Sequence, residues 1–266
     1  MFFPTADDYL PLIGSWTDPY PAPVLDIQDG VIVVRDDLLG AGSKLRFADY
    51  LIGHDPSTRE VREWVYGSCP ATGYAQISLP VLCRRYSKSA VLFMAKRDLA
   101  TRHEYQQRGL DEGGIYHWIP DGMLSVTEKR ARDYVQDDPQ HRRLLPIGLD
   151  HPTVLASIVR VARALPLTPR YVWSVGSSGT LTRGLQLAWP EADVHVVSVG
   201  HRMTDETGWR ATVHASPYAF DKPVKDADMP PFPSAPTYDA KAWSVMQAWR
   251  RAGQPTGSIL FWNVGA

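Results

Sequence analysis

A chain of 266 residues with 44% hydrophobic and 21% charged residues can bury a large core as one domain or two lobes, and this composition excludes a disordered or repetitive polymer. The formal net charge of -1 supplies no global attraction to nucleic acid or to an anionic membrane surface, and no run approaches the ~20 apolar residues of a membrane span. Asp7 and Asp8 lie where an export signal needs apolar residues, and Cys69 and Cys83 are the only cysteines, with spacing that fits neither a disulfide framework nor a zinc knuckle; both features suit a reducing, cytoplasmic compartment.

The first thirty residues carry Pro4, Pro11, Pro19, Pro21 and Pro23 and are expected to run as extended chain, with order beginning at Val24. PVLDIQDGVIVVRDDLL predicts two short strands around an Asp29-Gly30 turn, because apolar β-branched residues flank a dipeptide suited to positive φ. In GAGSKLRFADYLIG, Leu45, Ala48, Tyr50 and Leu51 give helical spacing with Ser43 within reach of the N-cap, so Lys44 falls where a loop enters a helix. A polar, hairpin-like stretch runs to Val65. ATGYAQISLPVLCRRY then predicts a helix and SAVLFMAKR a buried parallel strand.

GIYHWIP is a further candidate strand, and TEKRARDYVQDD a charged helix with a solvated face. LLPIGLDHP is turn-rich and leads into TVLASIVRVARALP, whose apolar residues recur at three and four spacing in the clearest amphipathic helix of the chain. RYVWSVGSSGTLTRGLQLAWPEADVHVVSVG predicts strand, glycine loop, helix and strand, a parallel βαβ unit. The stretch from Lys222 to Pro236, with Pro223, Pro230, Pro231 and Pro233 between, predicts an irregular connection. DAKAWSVMQAWRRAG and SILFWNVGA follow as a last helix and a last strand, and the whole is α/β.

Gly176, Ser177, Ser178, Gly179 and Thr180 form a hydroxyl-bearing turn at a helix N-terminus, which suits a phosphate; the same residues also serve as a plain βα turn. Lys44 follows a run of small residues that leaves room for a ligand, and a partly buried lysine is a Schiff-base nucleophile; most lysines are simply solvated. No G-x-S-x-G elbow surrounds the serines, and the eight histidines show no metal-ligand spacing, so no metal is expected. His201 and His214 are expected to be ordinary surface or core residues. The scattered Trp and Tyr residues fit core packing.

RDDLLGAGSKLRFADYLI resembles the R-E-D-L-x-x-G-G-N-K-x-R-K-x-x-x-L signature of fold type II pyridoxal-phosphate enzymes, the tryptophan-synthase-β-like superfamily, within its aminocyclopropane-carboxylate deaminase and D-cysteine desulfhydrase branch. LPIGLDHPTVLASIVRVARAL is similar to that branch's P-x-G-G-S-N-P-x-G-x-x-G-Y segment, VGSSGTLTRGL to its phosphate loop G-S-G-G-T-x-A-G-L, HASPYAF to its G-P-G-Y-G turn, and LFWNVGA to its strand ending in H-T-G-G. The resemblance runs from about Val31 to the C-terminus and implies two three-layer αβα lobes of mostly parallel sheet with the cofactor between them. The large domain would comprise residues 1–46 and 146–266 and the small domain residues 47–145.

The resemblance further implies that Lys44 carries pyridoxal 5′-phosphate as a Schiff base, that residues 176–180 hold its phosphate, that Asn263 meets the pyridine nitrogen and that Tyr218 stacks or touches substrate. Ala71 and Thr72 stand where relatives carry a Ser-Asn pair. Thr72 would bond the phenolic oxygen, and Ala71, Gly73, Tyr74 and Gly148 would line the substrate side. The implied activity is a lyase acting at the α-carbon of a small amino acid, by elimination or deamination, in a homodimer. An alternative is α-decarboxylation of an amino-acid-modified thymine, because compact divergent relatives resemble bacteriophage proteins that decorate thymine in DNA. A third reading is a non-catalytic relative that binds cofactor or phosphate with Lys44 unused.

Overall fold

The computed structural model describes residues 3–120, 122–200, 203, 209–253 and 255–266. The chain divides into two compact units, one of residues Met1–Ser43 with Pro152–Ala266 and one of Lys44–His151. Lys44 is therefore the first residue of the second unit.

The first unit is built on a six-stranded sheet in the order β1 (Leu25–Gln28), β2 (Val31–Arg35), β10 (Ile259–Asn263), β7 (Tyr171–Gly176), β8 (Asp193–Ser198) and β9 (Thr212–Ala215). The β1–β2 pair is the predicted hairpin. It turns through Asp29 and Gly30 at φ of 50° and 74°, and the remaining pairings are all parallel. Helices α7 (Pro152–Arg163) and α8 (Thr180–Ala188) cover one face and α9 (Asp239–Gly253) the other. Adjacent β7 residues show this: Ser174 bonds Thr182 of α8 at 2.8 Å while the Trp173 ring packs on Trp249 of α9. Alternation of side chains along a strand thus produces three layers.

The second unit holds a parallel four-stranded sheet in the order β5 (Ile115–Ile119), β4 (Ser89–Ala95), β3 (Glu63–Tyr66) and β6 (Arg142–Leu144). Val65, Val91, Phe93 and Ala131 make its core under α6 (Leu124–Gln136). On the other face lie α4 (Ala75–Arg85) and α5 (Glu104–Asp111), where the Tyr116 hydroxyl reaches Gln76 at 3.4 Å. Two short helices, α2 (Lys44–Phe47) and α3 (Asp49–Gly53), precede the sheet.

Three expectations change. The proline-rich start is not wholly extended: Ala6–Tyr9 forms α1 and Leu10–Ile13 a 3-10 turn. A capping box between Thr5 and Asp8 satisfies the first amides, and Tyr9 and Ile13 are buried, which orders a segment that composition alone marks as loop. The hairpin-like stretch before Val65 contains the parallel strand β3 instead. Ser43 does not cap a helix, because its amide and hydroxyl both meet the Val264 carbonyl, at 3.0 and 3.4 Å. Trp243 packs on Phe232 and Phe261 in the core, and the half-buried Trp249 packs on Trp173 and Tyr171.

His195 and His214 sit side by side on β8 and β9, joined by a 3.0 Å ring nitrogen bond and stacked on Trp173. Burial, and then the neighbouring His214, push the His195 imidazole down to about 4, and burial lowers His214 as well. The unfolded chain, with imidazoles near ~6.5, binds protons that the folded chain refuses, so stability is complete above that pH and is lost as pH falls toward 4. Unfolding followed from pH 7 to pH 5 is expected to show a loss on the order of 2 kcal/mol. His195→Phe should flatten that slope.

Candidate functional site

Because every strand of the first unit except β1 runs the same way, the carboxyl ends of β2, β10, β7, β8 and β9 share one edge of the sheet. The chain moves outward from β7 to β8 and β9 and then returns to place β10 on the other side of β7. That reversal opens a crevice at the ends of β7 and β10, where open parallel sheets bind ligands. The GSSGT turn lies there.

Gly176 ends β7, Gly179 takes φ +78°, and Thr180 begins α8, whose N-terminus receives no side-chain cap. Its first amides therefore point outward as donors. Ser177 and Ser178 are half-buried, and the Ser178 hydroxyl lies 3.1 Å from that of Thr180. A Cβ at Gly179 would meet the Trp209 ring at 2.9 Å and one at Gly176 would meet Val196 at 3.2 Å, so glycine is required at the first for both conformation and space.

The opposite side of the crevice is braced by Asn263. It is fully buried, donates its amide hydrogens to Asp37 at 2.8 Å and the Pro233 carbonyl at 2.9 Å, and accepts from Ser234 at 3.0 Å. Both hydrogens of the amide are thus bonded inside the protein, at the strand end where the resemblance puts the residue that meets the pyridine nitrogen. Asp37 is held in turn by Arg35 through bonds of 2.8 and 2.7 Å.

Tyr218 sits on the turn after β9. Its hydroxyl donates to Asp228, which raises the phenol's pKa. Lys241 of α9 donates to the Ala219 and Phe220 carbonyls at 2.7 and 2.9 Å, clamping that turn. Two residues that sequence reasoning missed join this edge, Trp209 against Gly179 and Tyr238, whose hydroxyl bonds Ser177. Burial and neighbouring Asp239 push the Tyr238 phenol up to about 12. Neither stands in a recognisable motif; only its partner in space marks it. His201 lies outside the described residues.

The second unit repeats the topology. The chain steps from β3 to β4 and β5 and returns to β6 on the far side of β3, so the loops after β3 and β6 flank its own reversal point. Ala71, Thr72, Gly73 and Tyr74 occupy the first loop, held by Gln76 through the Ala71 and Gly73 carbonyls at 2.7 and 2.9 Å. The buried Tyr74 ring packs edge-on against Tyr105. Gly148 occupies the second loop at φ 65°, followed by Leu149 at φ 59°, and its amide meets the Tyr66 hydroxyl at 3.3 Å.

Lys44 is half-buried at the start of α2. Its charge opposes the rise of the Cys69 thiol, which burial pushes up to about 12, so the structure brings Lys44 to the loop that carries Ala71 and Thr72. Among the described residues no group of three His, Cys, Asp or Glu could hold a metal, and no helix is long and apolar enough to cross a membrane.

No protein-family model matches the chain. A glycyl-dTMP PLP-dependent decarboxylase of Pseudomonas phage M6 is 28% identical over 217 residues, covering 69% of this chain and 75% of that protein. Among solved structures, an ACC deaminase homologue superposes with a TM-score of 0.81 at 14% identity, over 99% of this chain and 95% of the other. Threonine deaminase isoform 2 from Solanum lycopersicum gives a TM-score of 0.73 at 16% identity, over 98% and 84%. The fold is that of the fold type II pyridoxal-phosphate enzymes, as the motifs imply.

Replacing Asn263 should act through stability before any ligand is added. Asn263→Ala leaves the Asp37 carboxylate to Arg35 alone and takes the partner from the Pro233 carbonyl and the buried Ser234 hydroxyl, and urea denaturation is expected to show a loss of about 1–3 kcal/mol.

Proposed function

We propose that this chain is a pyridoxal-phosphate-dependent lyase acting at the α-carbon of an amino-acid-like substrate, with Lys44 as the amine that tethers the cofactor and residues 176–180 as the seat of its phosphate. The observation that carries the reading is the uncapped, hydroxyl-rich N-terminus of α8 at the reversal point of a parallel sheet. The residues fit the group: a glycine cradle admits a phosphate, Ser177, Ser178 and Thr180 supply hydroxyl donors, and helix amides complete the set. The sequence match to a PLP-dependent decarboxylase over 69% of the chain supports the same cofactor.

When bound, pyridoxal phosphate draws electrons from the substrate's α-carbon so that a bond there can break. The chain's own residues do the rest. Lys44 Nζ would hold the cofactor through its amine and, once free, would move a proton to or from the substrate's α-carbon. Thr72 offers a hydroxyl on the loop beside Lys44, and Ala71, Gly73, Tyr74, Gly148 and Tyr218 shape the substrate side.

Within this class the reaction favoured is α-decarboxylation of an amino-acid-modified thymine nucleotide or of thymine so modified in DNA. The phage relative's substrate class and the missing serine hydroxyl at Ala71 both support it. The bond between the α-carbon and the carboxylate would break with its electron pair left at the α-carbon, carbon dioxide would depart, and Lys44 would deliver a proton to that carbon. Elimination or deamination of a small amino acid is the second reading, supported by the likeness of fold to deaminases. We place the enzyme in a reducing cytoplasm, compatible with two buried free cysteines, and as a homodimer, which light scattering tests.

The purified protein with pyridoxal phosphate is expected to show a visible absorption band that Lys44→Ala abolishes, and borohydride reduction should leave a pyridoxyl adduct on the Lys44 peptide. Lys44→Ala should lower turnover by ~10²–10⁴-fold or more. Carbon dioxide from glycyl-dTMP without keto acid selects decarboxylation, and keto acid with ammonia from serine or cysteine selects elimination. A colourless protein with no adduct overturns the cofactor reading altogether.

A further inference from the structure

The carboxyl edge of the second unit carries a basic and apolar surface next to the loop that holds Ala71 and Thr72. Lys96 and Arg97 follow β4 and Arg102 precedes α5, and within residues 96–103 only Asp98 opposes them. Among the described residues none of the three cations forms an ion pair, whereas Arg84, Arg132 and Arg142 of the same unit are each bonded to a glutamate. The Arg102 guanidinium lies over the half-buried Trp118 ring, 5.2 Å from its centroid, and bonds the neutral Gln107 at 3.0 Å. Its Nε–H is buried with no hydrogen-bond partner among the described residues.

These residues share one surface. The Lys96 amide donates to the Ile119 carbonyl at 2.8 Å, so the chain leaving β4 stays against the end of β5. Leu99 on that loop and Met123 just beyond β5 are 79% and 60% exposed. Burial, and beyond it the Arg97 charge, lower the His103 imidazole against the pull of Glu104, which sets Arg97 near the segment that carries Arg102. The His103 ring packs on Tyr105, and Tyr105 on Tyr74 of the loop beside Lys44. The surface therefore adjoins the substrate side, and the chain's net charge of -1 conceals it.

Unpaired cations set among an aromatic ring and exposed apolar side chains match a polymer that alternates phosphates with flat bases. An acidic peptide would answer the cations alone, and a duplex keeps its bases stacked away from Trp118, Leu99 and Met123. Neighbouring strands lie ~4.8 Å apart, so the ends of β5 and β3 are separated by roughly 10 Å, about three nucleotides at a ~3.4 Å rise. We infer that this edge binds the single strand flanking a modified thymine, with Lys96, Arg97 and Arg102 on its phosphates and Trp118, Leu99 and Met123 against its unpaired bases. The inference rests on the thymine reading of the active site and narrows it to a polymeric substrate whose target base is out of the duplex stack, as chemistry on a base requires.

Fluorescence anisotropy of a labelled single-stranded oligothymidylate with the holoenzyme tests it. Wild type is expected to bind with log affinity falling against log salt at a slope of about -2, as for three neutralised phosphates. Combined Lys96→Gln and Arg97→Gln, at two exposed positions, should weaken binding about 10–30-fold at 0.1 M salt and bring the slope to about -0.7. Arg102→Gln should weaken it about 5-fold, and Arg102→Lys, which keeps the charge, should restore the slope. No binding by wild type, variants with unchanged affinity and slope, or a duplex held as tightly as the single strand each overturn the inference. So does a Leu99→Ser protein that loses mass in light scattering while binding DNA as before, which marks a second copy as the occupant. The cofactor's visible band, read on the same samples, separates the two readings. A coloured holoenzyme that ignores the strand loses this inference alone, and a colourless protein that binds it through these residues keeps the surface and overturns the cofactor reading.

Discussion

The insertion of β10 between β2 and β7 is the constraint on which the carboxyl edge of the first unit depends. Its register, Leu260 with Ile32 and Val172 and Phe261 with Val33 and Trp173, is fixed by a strand buried at every position. A one-residue slip would exchange its two faces. From that register follow the Val264 carbonyl that receives Ser43 and the Val264 amide that donates to Asp239. The Asn263 network between Asp37 and Ser234 follows from it too. The residue before Lys44 is thus anchored by the last strand of the chain, a contact closed across more than two hundred residues of sequence, and formation of this edge must wait for the slow, nonlocal step of parallel pairing.

What was legible in the sequence was chemistry that acts locally. Asp29-Gly30 and GSSGT announce their turns because positive φ and helix-end donors are properties of a few adjacent residues, and the amphipathic period of α7 needs no partner to be seen. Strands β3, β6 and β9 were obscure for the converse reason. EWVY, RRL and TVHA are short and partly charged, and only hydrogen bonding to a neighbouring strand makes them strands. Asn263 shows what motif position leaves out: the resemblance points to the end of β10, while the side chain's bonds also reach Pro233 and Ser234, which no motif includes. Tyr238 and Trp209 join the GSSGT turn through contacts with Ser177 and Gly179, thirty to sixty residues away along the chain.

The two units use the same topological device with different linings, and the difference bears on the reaction. At the reversal point of the first unit the lining is the N-terminus of α8 and the hydroxyls of Ser177, Ser178 and Thr180. The loop after β3 in the second unit, GSCPATGY, contains no cation, and its Ala71 lacks a hydroxyl. Gln76 gives its side-chain amide to the loop's own carbonyls. Both units present a helix N-terminus without a side-chain cap, α8 in the first and α4 in the second, so the difference lies in the side chains beside it, three hydroxyls in the first and an Ala71 that has none in the second.

Under the proposed chemistry, that asymmetry separates bond cleavages. A substrate carboxylate that must survive elimination needs donors that hold its charge throughout, whereas one that departs as carbon dioxide surrenders its charge in the transition state. A loop that solvates the carboxylate poorly stabilises the starting anion less than the neutralised product, so it lowers the barrier for loss of that group. A lysine beside the loop can then deliver the proton that replaces it. An alanine at position 71, where the resemblance implies a serine, is therefore a small change in sequence with a direct bearing on which α-carbon bond the same fold breaks.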